Sequence, residues 1–442
     1  MTRAVHLTAW VLLTAAAASA QPSPEPAAIA IALQDAIDRG LATSHRLAEA
    51  SARGDALQAV VAQRHAAQLP LIAGRASYVR TNHVEEFGIL LPNNRLRIIY
   101  PDVPDNYQAR LDLQWPIYNG GRFDALERAA RAEADAAAGD LAAARADLRL
   151  EITRAYWALV TATQSLRVVD QSVERMGAHL ADVRNQLSAG LVSPSDVLAV
   201  EAQASRQRMI SVQTRSLRDA AQEQLAYLIG APAGSSIDPT SALETASAES
   251  VPGEDASADA QRQRAERLAL TARLAAAGER AKAALAGHKP TIAIGGGVDY
   301  ARPNSRIFPR QAAWQESWDA GINVSWPIFD GGRANAETSE ALAMQRAATE
   351  RLAEFNRSLE LEVRQRSHEA TASRAAIVAA EDAVRAATEA RRVIGEHFTA
   401  GVATNTDVID AQLALLQADL DRTQALAAAR LADARLARAL GQ

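Results

Sequence analysis

Few residues of this 442-residue chain are placed to do chemistry. His368-Glu369 starts like a zinc-protease helix but lacks the second His that a HExxH site needs. Gly295, Gly296 and Gly297 form the only run of three glycines, yet they fall in a predicted strand and no GxxxxGK loop occurs, so nothing here would cradle a phosphate. Eight His and four Met are scattered and form no metal cluster, and the absence of Cys excludes disulfides, thiol catalysis and thiolate-bound metal. Asp407 and Asp410 remain: three apart at the start of a predicted helix, they share a face, and carboxylates crowded there would attract cations and bind protons more tightly. Neither enzyme activity nor a cofactor is expected. The formal charge of −5 gives no reason to expect nucleic acid as a partner.

The elements that would position those carboxylates are written twice. WPIYNGGR at 115–122 returns as WPIFDGGR at 326–333, and AGLVSPSDV at 189–197 as AGVATNTDV at 400–408, both shifted by 211; Gly230 and Gly441 keep the same step. A fixed offset at three anchors marks a duplicated unit of about half the chain. Residues 122–189 hold no Pro and only two internal Gly, Gly139 and Gly177. Within them Leu148, Ile152, Ala155, Leu159, Ala162, Leu166, Val169, Val173, Met176, Leu180, Val183 and Leu187 alternate steps of four and three, the seam of a coiled coil. Such a rod would be roughly 100 Å long. Gly190 and Pro194 end it, Ser193 or Ser195 can cap the next helix, and 195–229 returns with Ile210, Thr214, Leu217, Ala221, Leu225 and Leu228 on its packed face. The stretch 33–68 has the length to cover the rest of the rod. The second half repeats the plan over 333–400 and 405–440, with Arg391 where Leu180 stands in the first.

Upstream of each WPI phrase the period changes to two. Ala109, Leu111, Leu113, Trp115 and Ile117 alternate with Gln108, Arg110, Asp112 and Gln114; Trp318, Ala320, Ile322, Val324, Trp326 and Ile328 alternate with Asp319, Gly321, Asn323 and Ser325. Strand candidates from 69 and from 290 precede them, giving two hairpins with strands long enough to cross a bilayer when tilted. Of the 19 aromatic residues, 12 fall in 69–118 and 290–329, which favours a membrane sheet with an interfacial girdle over a half-wet soluble sheet. Trp115 and Trp326 would sit at headgroup level, Pro116 and Pro327 would tolerate a strand end, and Asn119-Gly120-Gly121 or Asp330-Gly331-Gly332 would turn the chain into a helix that the Asn or Asp can cap.

The first twenty residues read as a secretory signal: Arg3, an apolar stretch of about 12 residues, too short for a span of about 20, and Ala18-Ser19-Ala20 before a cut at Gln21. Gln21 in place of Cys argues against an amino-terminal lipid anchor. The mature chain is expected in the periplasm, outside the cell or in the outer membrane. Four strands cannot close a barrel, and an open edge in lipid costs several kcal/mol per unsatisfied group, so several copies must share one wall. Two, three or four copies would all give even strand numbers, and a conduit favours three or more.

The duplicated order of strand pair, rod, tip and return arm, with the WPIYNGGR and WPIFDGGR joints and the GLVSPSDVL and GVATNTDVID tips, resembles the TolC-like outer-membrane factors over nearly the whole mature chain. The resemblance implies a mainly α chain with a β-barrel portion: long antiparallel coiled-coil hairpins plus two β-hairpins, three copies forming a twelve-stranded barrel and a twelve-rod periplasmic tunnel. It implies a passive exit duct of a tripartite efflux pump or type I secretion system, working with a periplasmic adaptor, an inner-membrane pump of RND or ABC type, and outer-membrane lipid. The expected divisions are a signal at 1–20, a helical segment at 21–68, β-hairpin 69–118, helical hairpin 119–230 with its tip at 189–195, a linker or equatorial collar at 231–262, a helical segment at 263–288, β-hairpin 289–329, and helical hairpin 330–442 with its tip at 400–406. By motif position Asp407 and Asp410 would form the gate with Asp196; six carboxylates would converge in a trimer, and the plainer role for Asp407 is to favour its helix start. Ala403 stands where the family places an Arg that locks against the acid at Asp196. Gly190, Leu191, Val192, Gly401 and Val402 match the tip backbone that adaptors grip, and simple helix termination explains them equally. The alternative class is a periplasmic adaptor, or a coiled-coil structural protein of an export complex.

Overall fold

The computed structural model describes residues 29–243 and 256–442; the expected signal and part of 231–262 lie outside the described residues. In chain order the elements are β1 (Ile29–Ile31), α1 (Leu33–Thr43), α2 (His45–Ala66), β2 (Leu71–Arg80), β3 (Phe87–Leu90), β4 (Leu96–Tyr100), β5 (Asp105–Tyr118), α3 (Arg122–Ser188), α4 (Pro194–Leu228), β6 (Ile237–Pro239), α5 (Ala256–Gln263), α6 (Ala265–Leu285), β7 (Thr291–Arg302), β8 (Gln315–Ser325), α7 (Arg333–Thr399) and α8 (Asn405–Leu440). The helical stretch at 33–68 is two helices, divided at Ser44, whose hydroxyl accepts from Leu47 N–H and starts α2.

The two rods, α3 and α7, are 67 residues each, about 100 Å. Along α3 the predicted seam is buried at Leu148, Ile152, Ala155, Leu159, Val169, Met176 and Val183. α4 returns along the lower part of α3; α2 and α6 cover its upper part. Gly139 permits the α6 approach, since a Cβ there would lie 2.9 Å from that of Ala269. Leu217 departs from expectation and is 67% exposed. Ile210, one heptad earlier on the same face, does pack with Val168 and Val169 of α3 and Leu416 and Leu420 of α8. α7 buries only Ala334, Leu359, Val363 and Ala370, so one whole flank of the second rod is uncovered in a single chain.

Midway along the rods Tyr156 is fully buried, donates to Ile31 O at 3.1 Å and accepts from Ser241 N–H at 3.0 Å. This pins β1 and β6, which pair in parallel, onto α3 as a small collar.

At one end the strands form a single sheet in the order β2-β5-β7-β8, antiparallel throughout, with β5 against β7 joining the two repeats. One face carries Ile72, Leu111, Val298, Trp318, Ile322 and Val324, all at least half exposed. The other carries Arg75, Arg110, Asp112, Asp299 and Asp319. Aromatics mark both ends. Tyr78, Tyr107, Trp314 and Tyr300 form a chain with ring centroids 4.9 to 5.8 Å apart at the loop end. Trp115, Tyr118, Trp326 and Phe329 stand at the rod end. Eleven steps of β5 separate Tyr107 from Tyr118, about 37 Å of strand; tilted by about 40° that spans about 28 Å, close to the roughly 25 Å apolar band of an outer-membrane barrel.

The second WPI phrase differs from expectation. β5 continues through Tyr118, whereas β8 stops at Ser325, so Trp326 and Ile328 lie past the strand. β5 runs on past the start of β2 because β7 pairs with its other edge as far as Tyr118, whereas β8 is an edge strand and ends where Ser325 meets Thr291, the first residue of β7. The loop between β2 and β5 holds the β3–β4 hairpin, which sequence reasoning missed although Asn93-Asn94 supplies its turn and Asn94 adopts φ 62°.

Candidate functional site

Joints and tips repeat the same physics in each half. Asn119 Oδ1 accepts from Phe123 N–H at 3.1 Å, and Asp330 accepts from Gly332 and Ala334 N–H at 2.9 and 2.8 Å, so each closes the first turn of its rod. Gly120, Gly121, Gly331 and Gly332 all take positive φ, which a side chain would strain. Pro116 lies within β5 at a register shift, and Pro327 lies beyond β8. Each Trp donates its indole N–H to the carbonyl of a residue just before the preceding strand: Trp115 to Gln68 O at 3.3 Å and Trp326 to His288 O at 3.2 Å. The joints are therefore clamped from both sides.

At the tips Gly190 and Gly401 end α3 and α7 with φ of 72° and 76°. Ser193 and Thr404 cap the return arms in full capping boxes. Asp196 accepts from Ser193 N–H and Oγ at 3.0 and 2.6 Å, and Asp407 accepts from Thr404 N–H and Oγ1 at 2.8 and 2.6 Å. Those bonds hold both carboxyls below the usual range, the side-chain bond being the larger cause. In one chain Asp407 is thus shifted opposite to the rise expected from convergence, because its neighbour is a cap donor and not another acid. Asp410, whose counterpart Ala199 has no charge, stays outside the cap and is exposed. Leu191 and Val402 are 75% and 76% exposed at the very ends, and Val192 is half-buried.

A depressed folded-state pKa contributes stability above the unfolded value of 3.8 and loses it as pH falls through the folded value. Hydrogen exchange in the first turns of α4 and α8, corrected for intrinsic rate, should show protection falling below pH 3.8. Asp407→Asn should remove that pH dependence from α8 alone.

Sequence reasoning missed the contact that joins the two hairpins. Asn405 Nδ2 donates to Asp196 O at 3.2 Å, which turns its Oδ1 to His179 Nε2 at 2.6 Å. A carbonyl oxygen only accepts, so the imidazole proton sits on Nε2. Both side chains are buried, and the His179 ring packs edge-on against Phe398 at 5.5 Å. α3, α4, α7 and α8 meet there. The signal was a break in the repeat: the counterparts of His179 and Asn405 are Ala390 and Pro194. Asp196 engages through its backbone, its carboxylate being taken by the cap. Ala403, at the position of the implied Arg, contributes only a backbone N–H to His397 O at 3.2 Å.

Higher up, the seam is polar. Arg391 keeps its Nε, and Arg175 its Nε and Nη2, buried without a hydrogen-bond partner. Burial, and secondarily the nearby Arg391 charge, pushes Arg175 down against the opposing pull of Asp419. Among the described residues no group of three or more His, Asp or Glu is placed to hold a metal.

Against this geometry, the model of the outer membrane efflux protein family matches residues 36–231 and 249–442. The chain belongs to the outer membrane efflux protein family. As a family member it is an outer-membrane channel protein whose rods reach into the periplasm. Protein CyaE of Bordetella pertussis is 29% identical over 361 residues, covering 77% of this chain and 71% of that one. Outer membrane protein TolC of Vibrio cholerae is 25% identical over 331 residues, covering 74% of each. In fold, this efflux-family chain matches the solved outer membrane protein VceC of Vibrio cholerae at a TM-score of 0.80 with 21% identity, over 92% of this chain and 96% of that one.

Proposed function

We propose that three copies of the chain share one twelve-stranded barrel and one tunnel of rods, forming the exit duct of a tripartite efflux pump or type I secretion system. The carrying observation is a four-stranded sheet with an apolar face and two unpaired edges, β2 and β8, set on a rod whose flank is bare. Three sister copies satisfy both edges and cover the α7 flank at once. The duct does no catalysis and binds no cofactor; an inner-membrane pump of RND or ABC type supplies the energy. A periplasmic adaptor grips Gly190, Leu191, Val192, Gly401 and Val402, of which Leu191 and Val402 are the most exposed apolar side chains.

Asp407 and Asp410 ring the entrance of the duct, with Asp410 the freer charge. Asp196 holds the neighbouring hairpin in register. In planar bilayers the purified protein should give a small, cation-preferring conductance. Asp407→Asn with Asp410→Asn should enlarge it and weaken the cation preference. A large, anion-preferring channel in the parent would refute the gate assignment.

A further inference from the structure

On the polar face of the sheet one arginine is held by carboxylates from three strands. Arg110 of β5 meets Asp112 of its own strand at 2.6 Å, Asp299 directly opposite on β7, and Asp319 on β8 at 2.9 Å. Gln108 donates to the same Asp299 at 2.6 Å. β8 lies two strands from β5, about 9.6 Å away, so the guanidinium has to lie flat across β7. It crosses at Gly297, the register partner of both Asp112 and Asp319. A Cβ there would come within 2.6 Å of Arg110 Nη2. Gly297 is therefore the floor of a groove for this side chain. Arg75 and Arg306 stand 3.6 Å from Asp112 and Asp319, so three cations face three anions on each chain.

We propose that Arg110 sets the charge of the bore at membrane level: pinned flat over Gly297, it leaves the barrel wall neutral and the passage clear. This rests on the reading of the chain as a shared duct with its polar face inward. Charge in a narrow, partly desolvated passage acts strongly on multivalent ions, so displacement of Arg110 has a sign that can be read.

The test uses the intact assembly in planar bilayers, with tripolyphosphate or hexaamminecobalt(III) added on the side of the strand loops. All channels compared, the parent included, carry Asp407→Asn and Asp410→Asn so that the acids at the tip do not take up the trivalent cation, and this parent should be blocked weakly by both. Arg110→Gln strips the cation from three acids and should lower the blocking concentration of hexaamminecobalt(III) about tenfold. Asp299→Asn with Asp319→Asn leaves Asp112 as the remaining acid on Arg110, turns this face net positive, and should do the same for tripolyphosphate. Gly297→Val changes no charge, yet by lifting Arg110 into the bore it should also sensitise the channel to tripolyphosphate; if valine prevents assembly, Gly297→Ala takes its place. Parent-like block in the Arg110 and Gly297 variants would overturn the proposal. Failure of the parent to form channels at all would instead overturn the duct reading.

Discussion

Asn405→Ala is expected to give channels of several-fold larger conductance with unchanged ion preference. The substitution removes both bonds that Asn405 makes between the second tip and the first, at His179 Nε2 and at Asp196 O, and leaves a buried imidazole N–H without an acceptor. An unsatisfied buried polar group costs about 1–3 kcal/mol. At about 2 kcal/mol the equilibrium between joined and separated hairpins shifts about thirtyfold in each chain. No charge is lost, which separates this outcome from that of the Asp407 and Asp410 variants, where selectivity changes too. His179→Leu should act in the same direction. Parent-like conductance in both variants would show that the hairpins are held elsewhere.

Arg438→Ala should be the most destabilising single change away from the tip. Arg438, near the end of α8, is 7% exposed and bonds Asp147 of α3 at 2.7 Å and Glu266 of α6. Arg264, equally buried, donates to Arg438 O at 2.7 Å and reaches Glu362 of α7 at 3.3 Å. The cluster knits α3, α6, α7 and α8 below the sheet. Removing one partner of a buried ion pair costs about 3–5 kcal/mol, and the lower figure applies here because Asp147 is largely solvated. Burial pushes Glu266 up, but its bond to Arg438, a backbone hydrogen bond and the charges of Arg264 and Arg438 together outweigh that and hold the carboxyl below its ordinary 4.5. The contribution is therefore complete above pH 4.5 and fades as pH falls through the depressed value. Circular dichroism on heating should show the variant losing helix well below the parent at neutral pH. The gap should narrow on acidification; a gap that stays constant with pH would assign the effect to packing alone.

What was legible in the sequence was what the duplication repeats. The WPIYNGGR and WPIFDGGR joints, the tips and the two rods could be read because local rules, two-residue alternation, heptad spacing and glycine stops, act within a few residues. Less legible were contacts that join distant segments or break the repeat. β1 and β6 are three-residue strands more than 200 positions apart, too short for any period to show. The bridge from Asn405 to His179 exists only because the second tip departs from the first. Leu217 obeyed the pattern and still ended exposed, while Ile210 on the same face found Val168, Val169 and Leu416, so heptad spacing alone does not fix which positions are covered. β8 stopped short of Trp326 for a reason no local pattern shows: it is an edge strand, whereas β5 is carried on to Tyr118 by β7 on its second edge.

The indole clamps at Trp115 and Trp326 have a mechanical consequence. Because each ties the outgoing end of a strand pair to the residue that leads into it, Gln68 or His288, the foot of the wall is closed where helix meets sheet. Any widening at the tip must be spread as slight uncoiling over 67 residues of helix, a torsion small at every step, so the lipid seal is undisturbed while the distant mouth moves.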